Sequence, residues 1–257
     1  MKTTVCILLA LLAGATAPAQ VTNRWLTRPA TIGAGPTTLT ALLKYPEAEA
    51  RAKQEMEVAF FCDVSKEGRA SNFLLYRPAD PSNAFVVAVR KALDTAIFEP
   101  AISQGQPVIV QIAASVIFAI ENGRPTPLVR LNISDQLASE RNYTGPQLIG
   151  GQSALLLSVG YPDIARAQRM NGTVDLAFDI DTAGIPRNVR VSNVNPPGYG
   201  FDEAALVVVR KARFIPAMFQ RQPLKAPSTQ RIEFNIQVIE RYSPMQPPKK
   251  KGAEKKN

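Results

Sequence analysis

Residues 172–184 read Gly-Thr-Val-Asp-Leu-Ala-Phe-Asp-Ile-Asp-Thr-Ala-Gly, and this stretch decides the fold. From Val174 to Ile180, apolar and polar side chains alternate, which is the pattern of a β-strand with one buried face. Asp181 to Gly184 then predicts a hairpin turn, with glycine where the backbone needs a positive φ. The stretch therefore predicts a strand followed by a tight reversal.

The residues around this hairpin complete one small α+β unit. A short helix is predicted before it, from Tyr161 to Arg169, and a return strand after it, from Ile185 to Ser192. Apolar side chains at helical spacing predict an amphipathic helix from Phe201 to about Arg213. A third strand, Arg231 to Val238, follows a polar loop. This order predicts a small antiparallel sheet with two helices on one face, an α+β sandwich.

The same plan occurs twice in the chain. Residues 45–120 align without a gap onto residues 161–236, at a constant offset of 116 positions. The clearest matches are Tyr45-Pro46 with Tyr161-Pro162, Gly68 with Gly184, and Phe98-Glu99-Pro100-Ala101 with Phe214-Ile215-Pro216-Ala217. A repeat of this length is a whole small domain, so the chain is predicted to carry two tandem copies of one fold.

Each copy begins with a short glycine-marked lead-in. We therefore predict one domain at residues 28–120 and a second at 144–240, with a proline-bearing connector at 121–143. In the first copy, the last strand is predicted from about Val108 to Ile120 and is apolar on both faces. An exposed strand of this kind would aggregate, so we expect the second copy to cover it.

Both termini are predicted to lie outside the two domains. A charged start, an apolar run and the small residues Ala17-Pro18-Ala19 predict a signal peptide at 1–19, cleaved after Ala19, so the product is exported. An uncleaved anchor in the inner membrane is the alternative. Residues 241–257 predict a disordered basic tail, which either touches anionic lipid and acidic cell-wall polymer or is simply solvated.

Composition argues against most catalytic sites. The 257 residues include no histidine, which excludes Ser–His and Cys–His nucleophile pairs and the usual zinc sites. Cys62 falls on the inward face of a strand and is interpreted as a core thiol. Asp179 to Gly184 resembles the start of a calcium loop but lacks the later carboxylates, so the hairpin is favoured. We predict no catalytic residue, cofactor or metal site, and no enzyme.

The two copies share a series of short motifs. The second copy carries Gly150-Gly151, Tyr161-Pro162, Gly172-Thr173-Val174, Asp179 to Gly184 and Phe214 to Ala217. The first copy carries Tyr45-Pro46, Gly68, Phe98 to Ala101 and Gln104 to Pro107. This series is similar to the C-terminal domain of TonB-type energy transducers, and the first copy departs from it at Met56, where the family usually has glycine.

This resemblance implies a periplasmic module that binds a protein partner. Such domains take an extended peptide, the box segment of an outer-membrane receptor, as an added strand. The third strand, Arg231 to Val238, would be the docking edge, with Arg231, Glu233, Asn235 and Gln237 on its outer face. The alternative is a strand that pairs within the protein or in a homodimer, as in a periplasmic scaffold with no transport role. Nucleic acid is not an expected partner, because the product is predicted to be exported and residues 247–257 of the tail carry no aromatic side chains for base stacking.

Overall fold

The computed structural model describes residues 27–131 and 142–237, which form two halves. The first half contains α1 (Leu39–Leu42), α2 (Glu47–Arg51), β1 (Met56–Val64), β2 (Ala70–Arg77), α3 (Ala84–Leu93), β3 (Ala101–Ser103), β4 (Gln106–Val108), β5 (Val110–Glu121) and β6 (Arg124–Arg130). The second half contains β7 (Tyr143–Thr144), β8 (Gln147–Ile149), α4 (Gly151–Ser158), α5 (Asp163–Ala167), β9 (Gly172–Ile180), β10 (Pro186–Asn195), α6 (Phe201–Lys211), β11 (Phe214–Ile215), β12 (Ala217–Phe219), β13 (Gln222–Leu224) and β14 (Ala226–Phe234).

Antiparallel pairing organises these strands into two main sheets. The first has six strands in the order β11-β8-β5-β1-β2, with β6 also paired to β5. The second has three strands in the order β10-β9-β14, and two smaller sheets, β3-β4 and β13-β12-β7, lie beside them. Mixed helices and antiparallel sheets in two similar halves confirm the α+β prediction.

A ring cluster holds helix to sheet in each half. In the second half, Tyr161, Phe201 and Phe234 have ring centroids 4.7 to 5.9 Å apart. The first half repeats the cluster at the same offset, with centroids 4.9 to 5.7 Å apart, and its members are Tyr45, Phe85 and Phe118. Aromatic packing of this kind supplies a large share of the apolar burial in a small domain. The tyrosine of each Tyr-Pro motif is therefore a core residue.

The hairpin glycines allow a close backbone approach. Gly184 has φ +76°, and its carbonyl accepts a hydrogen bond from the Phe214 N–H at 3.0 Å. A Cβ atom added to Gly184 would lie 1.9 Å from the Phe214 carbonyl oxygen. Gly68 and Phe98 make the same contact, where the Cβ would lie 2.0 Å from the oxygen. In each half, the hairpin glycine thus allows the segment that follows the main helix, α3 or α6, to pass close to the hairpin.

The third strand of the second half differs from its prediction. It begins earlier, at Ala226, and ends at Phe234. Asn235 ends it, because its side-chain oxygen accepts the N–H of Gln237 at 3.0 Å, a local turn that competes with the strand ladder. The N–H of Ile236 is also withdrawn from the ladder and donates to the Asn171 side chain at 3.0 Å.

A strand lies within the segment interpreted as a connector. Strand β6 pairs with β5 from Ser115↔Arg130 to Glu121↔Arg124. This segment was interpreted as a connector because it contains Pro125 and Pro127. In the structure, the two prolines lie two positions apart on an edge strand. Their missing N–H groups point to the same side, away from the ladder, where proline is tolerated.

The second half also contains, after β7 and β8, a helix that was not predicted. Gly150, at φ +90°, ends the lead-in, and α4 starts at Gly151. The lead-in itself forms β8, which pairs with β5 at Val110 and Gln111. Residues from the second half therefore do cover part of the apolar strand β5, as expected, and β6 covers Ser115 to Glu121 of the same edge.

Strands β8 and β11 form a seam between the two cores. Ile149 and Ile215 pack in the hydrophobic cluster of the first half, whereas Leu148 and Phe214 belong to that of the second. Alternate side chains of a strand point to opposite faces, so two short strands serve both cores. The Gln147 side chain adds two hydrogen bonds to the Ala30 backbone, at 2.8 and 2.9 Å.

Two predicted segments lie outside the described residues. These are the signal peptide at 1–19 and the basic tail at 241–257. Within residues 27–131 and 142–237, no helix is long and apolar enough to cross a membrane.

Replacing Gly184 by alanine should destabilise the fold strongly. The new Cβ would collide with the Phe214 carbonyl, in addition to the strain of a positive φ. We expect the free energy of unfolding to fall by about 3 kcal/mol or more, measured by urea denaturation. Gly198→Ala is the control, because Gly198 also has φ +83° but nothing lies near its added Cβ. Its cost should be about 1 kcal/mol, and equal losses in both variants would contradict the close-approach argument.

Candidate functional site

Strand β14 presents an open edge. It pairs with β9 along its whole length, from Ala226↔Ile180 to Phe234↔Gly172, and with no other strand of the described residues. Its equivalent in the first half is β5, whose matching edge is filled. Strand β8 pairs with its first two residues and β6 with Ser115 to Glu121. The two halves therefore differ at one edge, and the second half leaves its edge unpaired.

The predicted docking residues lie along this edge, although not all in a strand. Arg231 and Glu233 are exposed on the outer face of β14. Asn235 lies just after the strand, and Ile236 and Gln237, which follow it, are helical. At the offset of 116, Arg231 to Gln237 correspond to the stretch of β5 that pairs with β6. The structure brings Arg231, Glu233 and Asn235 to one groove, described below, and leaves Gln237 outside it.

Ion pairs neutralise the outer face of the second sheet. Arg231 makes a two-pronged contact with Asp175, from Nε at 2.7 Å and from Nη2 at 3.0 Å. Further along β9, Lys225 pairs with Asp179 at 3.0 Å. The hydrogen bond from Arg231 lowers the pKa of Asp175, and Asp175 in turn raises the pKa of Arg231. Each charge is therefore neutralised by its partner at the surface of the sheet.

Two adjoining grooves run along the open edge. One, of about 300 Å³, is lined on one side by Gln230, Arg231, Glu233 and Asn235. The other, of about 580 Å³, continues the path from Pro227 to Arg231. Both grooves therefore lie against the strand whose edge is open, and the larger one also extends over the face of the second sheet, where Asp175 and Ser192 line it.

The opposite wall of the grooves comes from the first half and from α4. Its apolar members are Phe61 of β1, Leu74 and Tyr76 of β2, and Leu156 of α4. Sequence reasoning missed this wall because it concentrated on the last strands. One signal was available: Phe73-Leu74-Leu75-Tyr76 is apolar without alternation, which marks a strand with neither face fully polar.

A buried carboxylate holds α4 in place. Asp63 is 3% exposed and accepts the Gln152 N–H at 2.9 Å and the Asn72 side-chain amide at 2.8 Å. Gly151 permits this approach, since a Cβ there would lie 2.6 Å from the carboxylate oxygen. The carboxylate thus caps the first turn of the helix, where a negative charge is stabilising. Asp63 joins the first sheet to the groove wall.

The free thiol belongs to the core of the first half. Cys62 is fully buried on the inward face of β1, which agrees with its interpretation as a core residue. Burial raises the pKa of the thiol, and the neighbouring Asp63 raises it further, so the thiolate is disfavoured. Across residues 27–131 and 142–237, no group of three or more His, Cys, Asp or Glu side chains is arranged to hold a metal ion.

Comparison with known proteins assigns the family. The sequence model for the Gram-negative bacterial TonB protein C-terminal matches residues 41–120 and again 158–236. The two matches cover more than half of the chain and coincide with its two halves. The chain therefore belongs to the TonB C-terminal family, in two tandem copies, as its motifs predicted. Domains of this family are protein-interaction modules of the periplasm.

The solved structures that match include the solution NMR structure of Pseudomonas aeruginosa TonB CTD. It is 20% identical to this chain, and the match covers 38% of this chain and 90% of that one, with a TM-score of 0.29. No match was found among the curated proteins.

Asp63→Ala should loosen the groove wall. The Gln152 N–H and the Asn72 amide would lose their acceptor in a part-buried site, and we expect unfolding free energy to fall by about 2 kcal/mol. Hydrogen exchange should quicken at the Gln152 amide. Asp80→Ala is the control, because the Asp80 carboxylate accepts comparable local bonds from Ser82 at the surface. If exchange at Gln152 did not change, Asp63 would not be the cap.

Arg231→Gln should raise the pKa of Asp175 toward its usual value of about 3.9. Because the folded-state pKa lies below the unfolded one, the pair adds stability above the unfolded pKa and loses it as pH falls through the folded pKa. As the pH falls through the folded-state pKa of Asp175, the unfolding free energy of Arg231→Gln should therefore decrease less than that of the wild type. Carboxyl NMR titration measures the pKa directly. Arg187→Gln, which removes the partner of Asp181, should leave Asp175 unchanged, and an unchanged Asp175 titration in Arg231→Gln would contradict the assignment.

Proposed function

We propose that this chain is a periplasmic protein-binding module of the TonB C-terminal type that accepts an extended peptide from an outer-membrane transport receptor. The peptide adds as a strand to the open edge of β14, between Ala226 and about Gln237. The observation that carries the proposal is the contrast between the two halves. In the first, β6 and β8 pair with most of this edge, whereas in the second, no further strand of residues 27–131 and 142–237 pairs with it.

The first half supports the proposal with a strand addition made inside the chain. Strand β6 is an extended segment that pairs antiparallel with β5 over residues 115–121. In strand addition, backbone hydrogen bonds supply affinity and alternate side chains supply specificity. The corresponding stretch of the second half is 231–237. An incoming peptide would extend the ladder there and displace the turn that Asn235 now makes.

The outer face of β14 suits a reversible partner. Glu233 and Thr229 are exposed and polar, and Arg231 is already paired with Asp175. Charged side chains on an edge strand are a common protection against aggregation. A polar edge such as that of β14 can therefore remain exposed to solvent without pairing with the edges of other molecules. The proposed role needs no catalysis or cofactor, and the sequence contains no histidine for an acid–base pair.

The proposed setting includes the two ends of the chain. A signal peptide at 1–19, cleaved after Ala19, would deliver the protein to the periplasm, and an uncleaved anchor in the inner membrane is the alternative. The basic residues of the tail at 241–257 would contact anionic lipid or cell-wall polymer. Domain limits at 28–120 and 144–240 remain our proposal for dissecting the chain.

A scaffold that associates with itself is the second candidate. The open edge of β14 also supports it, because two such edges can pair across a two-fold axis to form a homodimer. Sedimentation velocity separates the two candidates. A dimer that dissociates when peptide is added would show that both occupants use the same edge, whereas a dimer unaffected by any peptide would favour the scaffold.

Backbone methylation of the peptide tests strand addition without altering the protein. Fluorescein-labelled nine-residue peptides that cover the amino-terminal segments of the cell's outer-membrane receptors would be screened by anisotropy. The tightest binder is then N-methylated at its odd or at its even positions. In an added strand, alternate N–H groups face the neighbouring strand. We therefore expect one set of methyl groups to weaken binding at least tenfold and the other to have little effect.

Two results would contradict the proposal. One is the absence of binding by any receptor peptide to the full-length protein. The other is equal tolerance of both methylated sets, which would mean that the peptide is held by its side chains alone. A peptide of scrambled sequence and the same composition is the control for non-specific attraction to a chain of net charge +9.

A further inference from the structure

An apolar patch of the first half faces the open edge of the second. The rings of Phe61 and Tyr76 stack with centroids 5.1 Å apart on the outer face of the first sheet. Leu74 lies on the same groove wall and is 50% exposed. An exposed leucine beside two aromatic rings in a groove is a typical contact surface for a partner.

The first half shows what kind of segment such an edge receives. Strand β6 has seven residues, Arg124 to Arg130, in extended conformation. On one of its faces, Val129 lies opposite Val116 and is 8% exposed against the core. On its other face, Leu128 lies opposite Ile117 and is 43% exposed. The occupant therefore contributes its backbone to the ladder and apolar side chains to both faces of the sheet, and the outer of these faces corresponds to Glu233 on β14. In the second half, the surface within reach of the matching segment includes Leu156 of α4 and the patch of Phe61, Leu74 and Tyr76.

We propose that the peptide site of the second repeat is completed by the first. Strand β14 supplies the backbone wall, and Phe61, Leu74 and Tyr76 supply an apolar wall that receives bulky apolar side chains of the bound segment. The occupant is an extended peptide of a partner protein with such side chains at alternate positions. The inference rests on the proposed function and goes beyond it, because it gives the first repeat a role in peptide specificity.

The two walls require different parts of the chain. The backbone edge comes from the second repeat and the apolar patch of Phe61, Leu74 and Tyr76 comes from the first. The buried Asp63 of the first sheet accepts the Gln152 N–H and so ties α4 of the second half to that sheet. A single repeat would offer the backbone edge without the apolar wall. We expect such an edge alone to bind peptides weakly and with little preference among side chains, because pockets for alternate side chains provide the specificity.

Leu74→Asp tests the apolar wall in the full-length protein. The dissociation constant of the tightest-binding receptor peptide should rise at least tenfold, because a charge replaces the apolar contact. Leu128→Asp is the matched control. Leu128 is also a half-exposed leucine of the first sheet, 43% exposed, and it lines neither groove. Its variant should bind within twofold of the wild type, and circular dichroism should show both variants folded.

A peptide with alanine at its bulky positions provides the second measurement. It should bind the wild type more weakly than the parent peptide does, and should lose little further affinity on Leu74→Asp, because the two changes remove the same contact. Independent, additive losses would overturn the apolar wall. So would unchanged binding by Leu74→Asp.

The outcomes distinguish this inference from the proposed function. If Leu74→Asp binds normally while one alternate set of N-methyl groups still blocks binding, strand addition stands and the composite site is wrong. If neither Leu74→Asp nor N-methylation matters, or no receptor peptide binds, both proposals fail. Binding that appears only after removal of residues 238–257 would identify this chain's own C-terminal segment as the occupant and would also overturn the composite site for a partner peptide.

Discussion

Backbone N–H and C=O groups at the edge of a sheet need hydrogen-bond partners, and this need explains how the strands of the protein are arranged. Every strand at the end of a ladder carries a row of N–H and C=O groups that other chains can recruit. The long apolar strand β5 has this need most acutely, and two later segments of the chain pair with its edge. Strand β6 turns back on it from the C-terminal side, and β8 reaches it from the second repeat. In the second half, the corresponding edge of β14 pairs with no further strand of the described residues, and its outward side chains are polar.

Small sequence differences between the repeats account for this asymmetry. At the positions where β5 carries Ile117 and Ala119 on its outer face, the second copy carries Glu233 and Asn235. An apolar outer face favours permanent cover, whereas a charged one tolerates water. Likewise, Glu99 is a surface residue paired with Arg28, while Ile215 at the matching position is fully buried in the core of the first half. Duplication supplied two equal edges, and divergence made one structural and left the other open.

The elements that could be predicted from sequence are those with a local signature. The alternation in β9 and the glycine at the end of its hairpin are sufficient to define that hairpin without any tertiary information. The amphipathic spacing of α6 is equally local. Strand β6 was not predicted because its prolines are compatible with a strand only at the edge of a sheet. Whether a segment lies at an edge depends on its neighbours in space, which the local sequence does not give. The end of β14 escaped for a similar reason, since Asn235 can either continue a strand or start a turn.

The candidate site was predictable only in part. The docking edge followed from family resemblance and from the polar face of the third strand, and the structure places Arg231, Glu233 and Asn235 beside a groove. The opposing wall could not be found in this way. Phe61 and Leu74 are distant in sequence from β14, and nothing in their local pattern says which element they face.

The seam between the repeats has a consequence for how the protein unfolds. Strand β8 belongs to the second repeat by sequence and to the first sheet by hydrogen bonding, and Ile215 is carried by the second repeat but buried in the first core. Unfolding of either half would remove hydrogen-bond and packing partners from the other half. Both halves should therefore unfold in a single calorimetric transition on heating, so that the duplicated chain behaves thermodynamically as one cooperative unit.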